Sequence, residues 1–128
     1  MHLSASCLCG GVRLTATALG PEVTACHCTQ CRKLSGHFAA SFDVAEEPVY
    51  AARATLAEYA TPGGGTRGFC ATCGSSLWFR SRDSDWSIEA GVVDGPTGGR
   101  LTAHIFTAFK GDYYDIADDA PQHETGGQ

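Results

Sequence analysis

The chain has 128 residues, 16 glycines and 7 cysteines, and its 9 Lys and Arg against 14 Asp and Glu leave a net charge of −5. That length suits one domain of the common ~100–150-residue size and leaves no room for a dinucleotide-binding domain with a partner or for a TIM barrel. A hydrophobic content of 43% argues against global disorder, and the acidic balance argues against a dedicated nucleic-acid binder or a polybasic membrane anchor.

Most of the chain reads as short strands. Leu3 to Ser6 leads into the first cysteines. Val12 to Ala18 alternates Val12, Leu14, Ala16 and Ala18 against Arg13, Thr15 and Thr17. Gly20-Pro21 signals a turn, and Glu22 to Ala25 reads as a separate short strand entering the next cysteines. Arg32 to Ser35 adds one helical turn. Phe38 to Val44 alternates again. Val49 to Ala51 and Leu56 to Ala60 are candidate strands, with a short helix over Ala51 to Ala60 as the alternative. Thr66 to Phe69 enters the last cysteine pair and Ser76 to Arg80 leaves it. Trp86, Ile88, Ala90 and Val92 alternate, and Leu101 to Phe106 is the last strand. Many short strands broken by glycine turns predict an all-β domain over residues 1–116, with little helix. Residues 117–128 read as a polar, flexible tail. Glu46-Glu47 and Asp118-Asp119 read as solvated charges, and Trp78, Phe79 and Trp86 could line a pocket but read more simply as core aromatics with no assigned function.

An odd number of cysteines cannot form a purely disulfide framework. Met1 to Ser6 shows no basic stretch followed by an apolar one, and no apolar run approaches the ~20 residues of a membrane helix. The expected surroundings are therefore cytoplasmic and reducing, where clustered cysteines more often bind metal than pair. They fall into three groups: Cys7-x-Cys9, Cys26-x-Cys28-x-x-Cys31 and Cys70-x-x-Cys73. Two thiolates one to four residues apart can wrap a tight turn around a tetrahedral zinc. Glycine follows the first and last groups, which makes Cys7, Cys9, Cys70 and Cys73 a natural four-thiolate structural site. The middle group has three cysteines. Closed structural sites use four protein ligands, whereas catalytic sites use three and keep a position open. Cys26, Cys28 and Cys31 therefore read as an open, catalytic zinc site. His37 or His104 could instead complete it as a structural site, or the group could be metal-free. His27, between two ligands, is expected to point away from them.

An open zinc with three thiolates carries a net negative charge. It is a poor generator of hydroxide but can hold an external thiol as a nucleophilic thiolate. Arg32 and Lys33 follow Cys31 and could offset the charge or attract an anionic thiol.

The ordered segments Cys7-Leu-Cys9-Gly10-Gly11-Val12, Cys26-His27-Cys28-Thr-Gln-Cys31-Arg32-Lys33-Leu-Ser35-Gly36 and Phe69-Cys70-Ala-Thr-Cys73-Gly74-Ser75 resemble the glutathione-dependent formaldehyde-activating enzyme family, which also includes centromere protein V. Leu101 to Phe106 resembles the family's final strand, and the likeness spans roughly residues 3–116. Where many members carry a tryptophan, this chain has Phe109 to Asp115, and a late Pro-x-aromatic is replaced by Pro121-Gln122-His123. The resemblance implies a zinc-stapled β-tent of short antiparallel strands. It implies two zinc ions per chain, one at Cys7, Cys9, Cys70 and Cys73 and one at Cys26, Cys28 and Cys31. It further implies carbon–sulfur lyase chemistry that joins a small thiol such as glutathione to formaldehyde or a related aldehyde, giving S-(hydroxymethyl)glutathione. A proton shuttle through His37 or His104 is conceivable, and Arg32, Lys33, Arg67, Arg80 and Arg82 are candidates for a local basic patch. The competing readings are a non-catalytic zinc scaffold that presents a surface to a protein partner, and a zinc- or redox-responsive thiol protein.

Overall fold

The computed structural model describes residues 1–126. The strands are β1 (His2–Ser6), β2 (Val12–Cys26), β3 (Ala39–Val44), β4 (Val49–Arg53), β5 (Leu56–Ala60), β6 (Thr66–Cys70), β7 (Ser76–Arg80), β8 (Trp86–Glu89) and β9 (Arg100–Ile105). One short helix, α1 (Thr29–Ser35), lies between β2 and β3. The domain is thus mainly antiparallel β, as the strand pattern predicts. The candidate helix over Ala51 to Ala60 is absent; β4 and β5 occupy that segment.

The Gly20-Pro21 signal marks a bend inside one strand and not a turn between two. The first half of β2 pairs antiparallel with β1 and β4, with Ala5 opposite Leu14 and Leu14 opposite Tyr50. Its second half pairs antiparallel with β3 and parallel with β9, so Ala25 faces Ala40 on one side and His104 on the other. The register shifts between Ala18 and Val23. Buried positions are even-numbered before the shift (Val12, Leu14, Ala16, Ala18) and odd-numbered after it (Val23, Ala25). That change of phase is what an extra residue in a strand produces, and proline's missing N–H is tolerated at such a site. The bend lets one strand serve two parts of the sheet.

Beyond β3 the sheet continues through β8, β7 and β6 to β5. Its inner face contributes Phe42, Val44, Leu77, Trp78 and Ile88, which pack with Leu3, Val12 and Leu14 from the other end. Gly68 lies opposite Trp78, and a Cβ there would fall 2.1 Å from the indole ring. The ring is 1% exposed and packs against Trp86 at 4.8 Å, so it has nowhere to go.

Residues 121–125, expected as part of a loose tail, run beside β9 instead. The His104 N–H donates to the Pro121 carbonyl (2.9 Å), the His123 N–H to His104 (2.8 Å) and the Phe106 N–H to Thr125 (3.1 Å). Gly127 and Gln128 of that expected tail lie outside the described residues. Among the described residues no helix is long and apolar enough to cross a membrane.

Gly68→Ala is expected to destabilise the fold by about 1–3 kcal/mol through overpacking against Trp78. Urea unfolding reads this directly, and an unchanged midpoint would show that the indole can move aside.

Candidate metal centre

Both cysteine clusters form at strand ends, where backbone N–H groups turn toward sulfur. In the first, the Val12 N–H donates to Cys7 Sγ at 3.2 Å and the Cys73 N–H to Cys70 Sγ at 3.4 Å. Gly10 and Gly74 close these turns with φ of +81° and +80°, a conformation that strongly favours glycine. The turn after β1 thereby meets the turn after β6, and Ser75 Oγ ties them by accepting from the Leu8 N–H at 3.0 Å. The sulfurs of Cys7, Cys9, Cys70 and Cys73 all lie within 4.8 Å of one another. Cys9 Sγ is 3.6 Å from both Cys7 Sγ and Cys70 Sγ. Four thiolates ~2.3 Å from one tetrahedral ion would stand about this far apart, so the donor set fits a metal ion. Hydrogen bonding from Ser75 lowers the Cys73 pKa to about 5, in the direction that favours ligation.

The second cluster spans the end of β2 and the start of α1. Cys28 is the helix N-cap, its sulfur accepting from the Cys31 N–H at 3.3 Å. Gly36 ends the helix in the left-handed region and donates its N–H to the Arg32 carbonyl. The Cys26, Cys28 and Cys31 sulfurs lie within 4.8 Å of one another. Cys28 is held well below the usual thiol range by hydrogen bonds from Cys26 and then Cys31, while Cys26 is pushed up by giving its proton to Cys28. Among the described residues no fourth Cys, His, Asp or Glu joins this cluster.

Neither candidate histidine closes it. His37 bonds through Nδ1 to Tyr113 Oη at 2.6 Å. His104 is buried at 3% exposure, with Nδ1 on His27 Nε2 (2.9 Å) and Nε2 on both Asp118 oxygens (3.0 Å). His27 turns away from the sulfurs as expected, its Nδ1 meeting Tyr114 Oη at 2.6 Å. Burial, and then His104, lower the His27 pKa to about 4. Asp118 is therefore no simple solvated charge: half-exposed itself, it anchors a Tyr114–His27–His104–Asp118 chain whose two histidines are buried behind the Cys26–Cys28 turn.

A cavity of about 350 Å³ opens beside the three cysteines. Its floor is the outer face of the sheet. Thr24 pairs with Ser41 and Ser41 with Glu89 across β2, β3 and β8. Asp43 pairs with Ser87, Ser87 with Phe79, and Phe79 with Arg67 out to β6. All of these line the cavity, whereas their strand neighbours Phe42, Ile88, Trp78 and Gly68 face the core. Of the five candidate cations only Arg67 lines it; Arg80 is turned to Thr66 and Trp86. The Arg67 guanidinium donates to Gln30 Oε1 (3.1 and 2.9 Å) and to Cys31 Sγ (3.5 Å). It also stands 3.9 Å from Glu89 Oε1 and packs over the Phe79 ring at 4.4 Å. Burial pushes the Glu89 carboxyl up to about 7 against the opposing pull of Arg67. Glu89 and Asp43 were not singled out from the sequence. Their only signal was alternation with core residues, which looks the same for any solvent-facing position. Of the three aromatics that could line a pocket, Phe79 is a wall of this cavity, whereas Trp78 lies in the core.

A mainly antiparallel β domain with one closed cluster of four cysteines and one open cluster of three beside a cavity is a narrowly defined class. The chain belongs to the glutathione-dependent formaldehyde-activating enzyme family, whose model matches residues 2–109. It is also similar to an uncharacterized lyase of Schizosaccharomyces pombe (strain 972), with 27% identity over 115 residues that cover 88% of this chain and 84% of that one. Its fold resembles the crystal structure of a Rhodobacter sphaeroides protein with a TM-score of 0.60 and 22% identity, over 75% of this chain and 90% of that chain.

Because burial raises Glu89 above its unfolded value of ~4.3, its share of stability is fullest at low pH and is lost as pH rises through about 7. Wild type is expected to lose about 1 kcal/mol more than Glu89→Gln between about pH 6 and pH 8, read by urea unfolding at fixed metal concentration. Equal losses for the two proteins would mean that the carboxyl is ionised throughout that range.

Proposed function

We propose that this chain is a zinc-dependent carbon–sulfur lyase that joins a small thiol, such as glutathione, to formaldehyde or a related small aldehyde, and releases them in reverse. The observation that carries this reading is the three-cysteine cluster with no fourth protein donor among the described residues, set beside a cavity of about 350 Å³. That volume is at the small end of ligand pockets, suited to a thiol and a one- or two-carbon aldehyde. Cys7, Cys9, Cys70 and Cys73 would hold a structural zinc, and Cys26, Cys28 and Cys31 a second zinc with a position free for substrate. Bound there, zinc supplies a positive centre that keeps a thiol sulfur deprotonated yet nucleophilic.

The remaining work falls to the chain itself. The N–H groups at the start of α1 and the Arg67 guanidinium balance the charge gathered on the sulfurs. Phe79, Ile105 and Phe106 form apolar walls that restrict water at the reacting carbon. Ser41, Ser87 and Thr24 offer hydroxyls along the floor to orient the aldehyde oxygen.

Cys28→Ser separates ligation from folding, because serine is itself a good N-cap. Wild type is expected to hold two zinc ions per chain, and Cys28→Ser one, with its fold kept. Cys73→Ser should misfold, since structural zinc is worth ~10–16 kcal/mol in small finger peptides. Metal analysis with circular dichroism checks all three, and a single zinc in wild type purified without chelator sinks the two-site model. Exchange NMR of formaldehyde, glutathione and their adduct should show acceleration of at least about 100-fold by wild type and none by Cys28→Ser. No acceleration across several thiols and aldehydes would favour the zinc scaffold.

A further inference from the structure

Addition of a thiol to an aldehyde moves one proton from sulfur to oxygen, and the cavity must provide a group to carry it. The histidines considered from the sequence do not line it. The titratable and charged groups that do are Cys26, Cys28 and Cys31 from the end of β2 and α1, Asp43 from β3, Arg67 from β6 and Glu89 from β8. The cysteines are committed to the metal and Arg67 cannot give up its proton at neutral pH. Asp43 lies in an exposed position, whereas the Glu89 side chain is only 13% exposed and is oriented by Arg67.

Resting on the thiol–aldehyde reading above, we propose that Glu89 is the proton-transfer residue of this site, its carboxyl carrying one proton from the incoming thiol to the aldehyde oxygen. The sheet register supports this placement. Glu89 stands across Ser41 from Thr24, two residues before Cys26 on β2. Two strand spacings, about 10 Å, separate Glu89 from Thr24, and Cys26 lies about 7 Å further along β2, so about 12 Å separates the backbones that bear the carboxylate and the first sulfur. The cavity lies in this gap and leaves room there for substrate atoms.

The step balances without an oxidant or reductant. As the thiol enters the cavity, its S–H proton passes to the Glu89 carboxylate. A sulfur lone pair then forms the C–S bond to the carbonyl carbon while the C=O π pair moves to oxygen. That oxygen takes the proton from the Glu89 carboxyl, which leaves the hydroxymethyl thioether and restores the carboxylate. The reverse path returns the hydroxyl proton to Glu89 and then to the departing sulfur. Arg67 acts as a positioning residue: it fixes the carboxylate on one side and Cys31 on the other.

Glu89→Gln keeps the size and removes the proton carrier. It is expected to slow adduct exchange by about 100-fold or more, mainly in kcat, while two metal ions and the fold are retained. Glu89→Asp should recover part of the rate. A readout without turnover is calorimetry of glutathione binding in buffers of different ionisation enthalpy, near pH 8 and without aldehyde. Wild type should pass almost no proton to the buffer, and Glu89→Gln about one per thiol bound. An active wild type with an equally active Glu89→Gln, or full proton release by both, overturns the role of Glu89 alone. Loss of rate in Asp43→Asn with none in Glu89→Gln also overturns it and moves the role to Asp43. A wild type that neither binds thiol nor accelerates exchange overturns the thiol–aldehyde reading itself, and the role of Glu89 with it.

Discussion

The phase change inside β2 is the constraint on which the rest of the structure depends. A strand that kept one phase from Val12 to Cys26 would present the same side chains to one core throughout. The shift between Ala18 and Val23 instead turns Thr24 and Cys26 outward, while Val23 and Ala25 remain buried. The same strand begins just after the Cys7–Cys9 turn and ends on Cys26. β2 therefore sets the position of one cluster at its start and of the other at its end, and the two are held apart by a single continuous backbone. The pairing of its second half with both β3 and β9 fixes the Cys26 end from two sides.

The two clusters differ in what surrounds them as well as in the number of their cysteines. In the first, four sulfurs converge from two turns, and hydroxyls pack against two of them: Thr55 Oγ1 reaches Cys70 Sγ at 3.1 Å and Ser75 Oγ reaches Cys73 Sγ at 3.2 Å, while Cys9 stays exposed. Thiols this close cannot all ionise without a cation, because each thiolate opposes the next. A metal ion there would join segments 61 residues apart and would stabilise the fold in the way small zinc domains are stabilised. In the second cluster all the sulfurs come from a single segment that runs from the end of β2 into α1. The Arg67 guanidinium reaches Cys31 from the sheet, and the space beside them is the cavity. One-sided supply is thus the structural reason that the site has a free face.

Much of this was legible in the sequence. The grouping of the cysteines depends on spacing alone, and spacing decides which thiols a tight turn can bring together. The strands were legible because alternation is local. What escaped needed knowledge of neighbours. Gly20-Pro21 reads as a turn unless β3 and β9 are known to continue the pairing past it. Ser41, Asp43, Ser87 and Glu89 alternate as any wet strand face does, and only α1 and the Ile105–Phe106 segment make theirs a cavity floor. Asp118 reads as solvated until the residues after it are seen bonded along β9, which brings its carboxylate to His104. Both histidines were candidates because histidine so often moves protons. Burial and mutual hydrogen bonding commit His104 to supporting the Cys26–Cys28 turn instead.

Arg67 connects these elements electrostatically. A buried guanidinium is costly unless its donors are satisfied, and here they are shared among Gln30, Cys31 and Glu89. Next to Arg67 alone, Glu89 would ionise readily; burial alone would keep it protonated. The two influences oppose each other, and at 3.9 Å the ion pair is too long to dominate. Negative charge that accumulates at Cys31 draws on the same guanidinium from the other side and weakens its hold on Glu89. The carboxyl's affinity for a proton then rises as charge builds on the sulfurs. One cation shared between the Cys31 sulfur and the Glu89 carboxyl thus couples the charge of the sulfur cluster to the protonation of that carboxyl across the cavity.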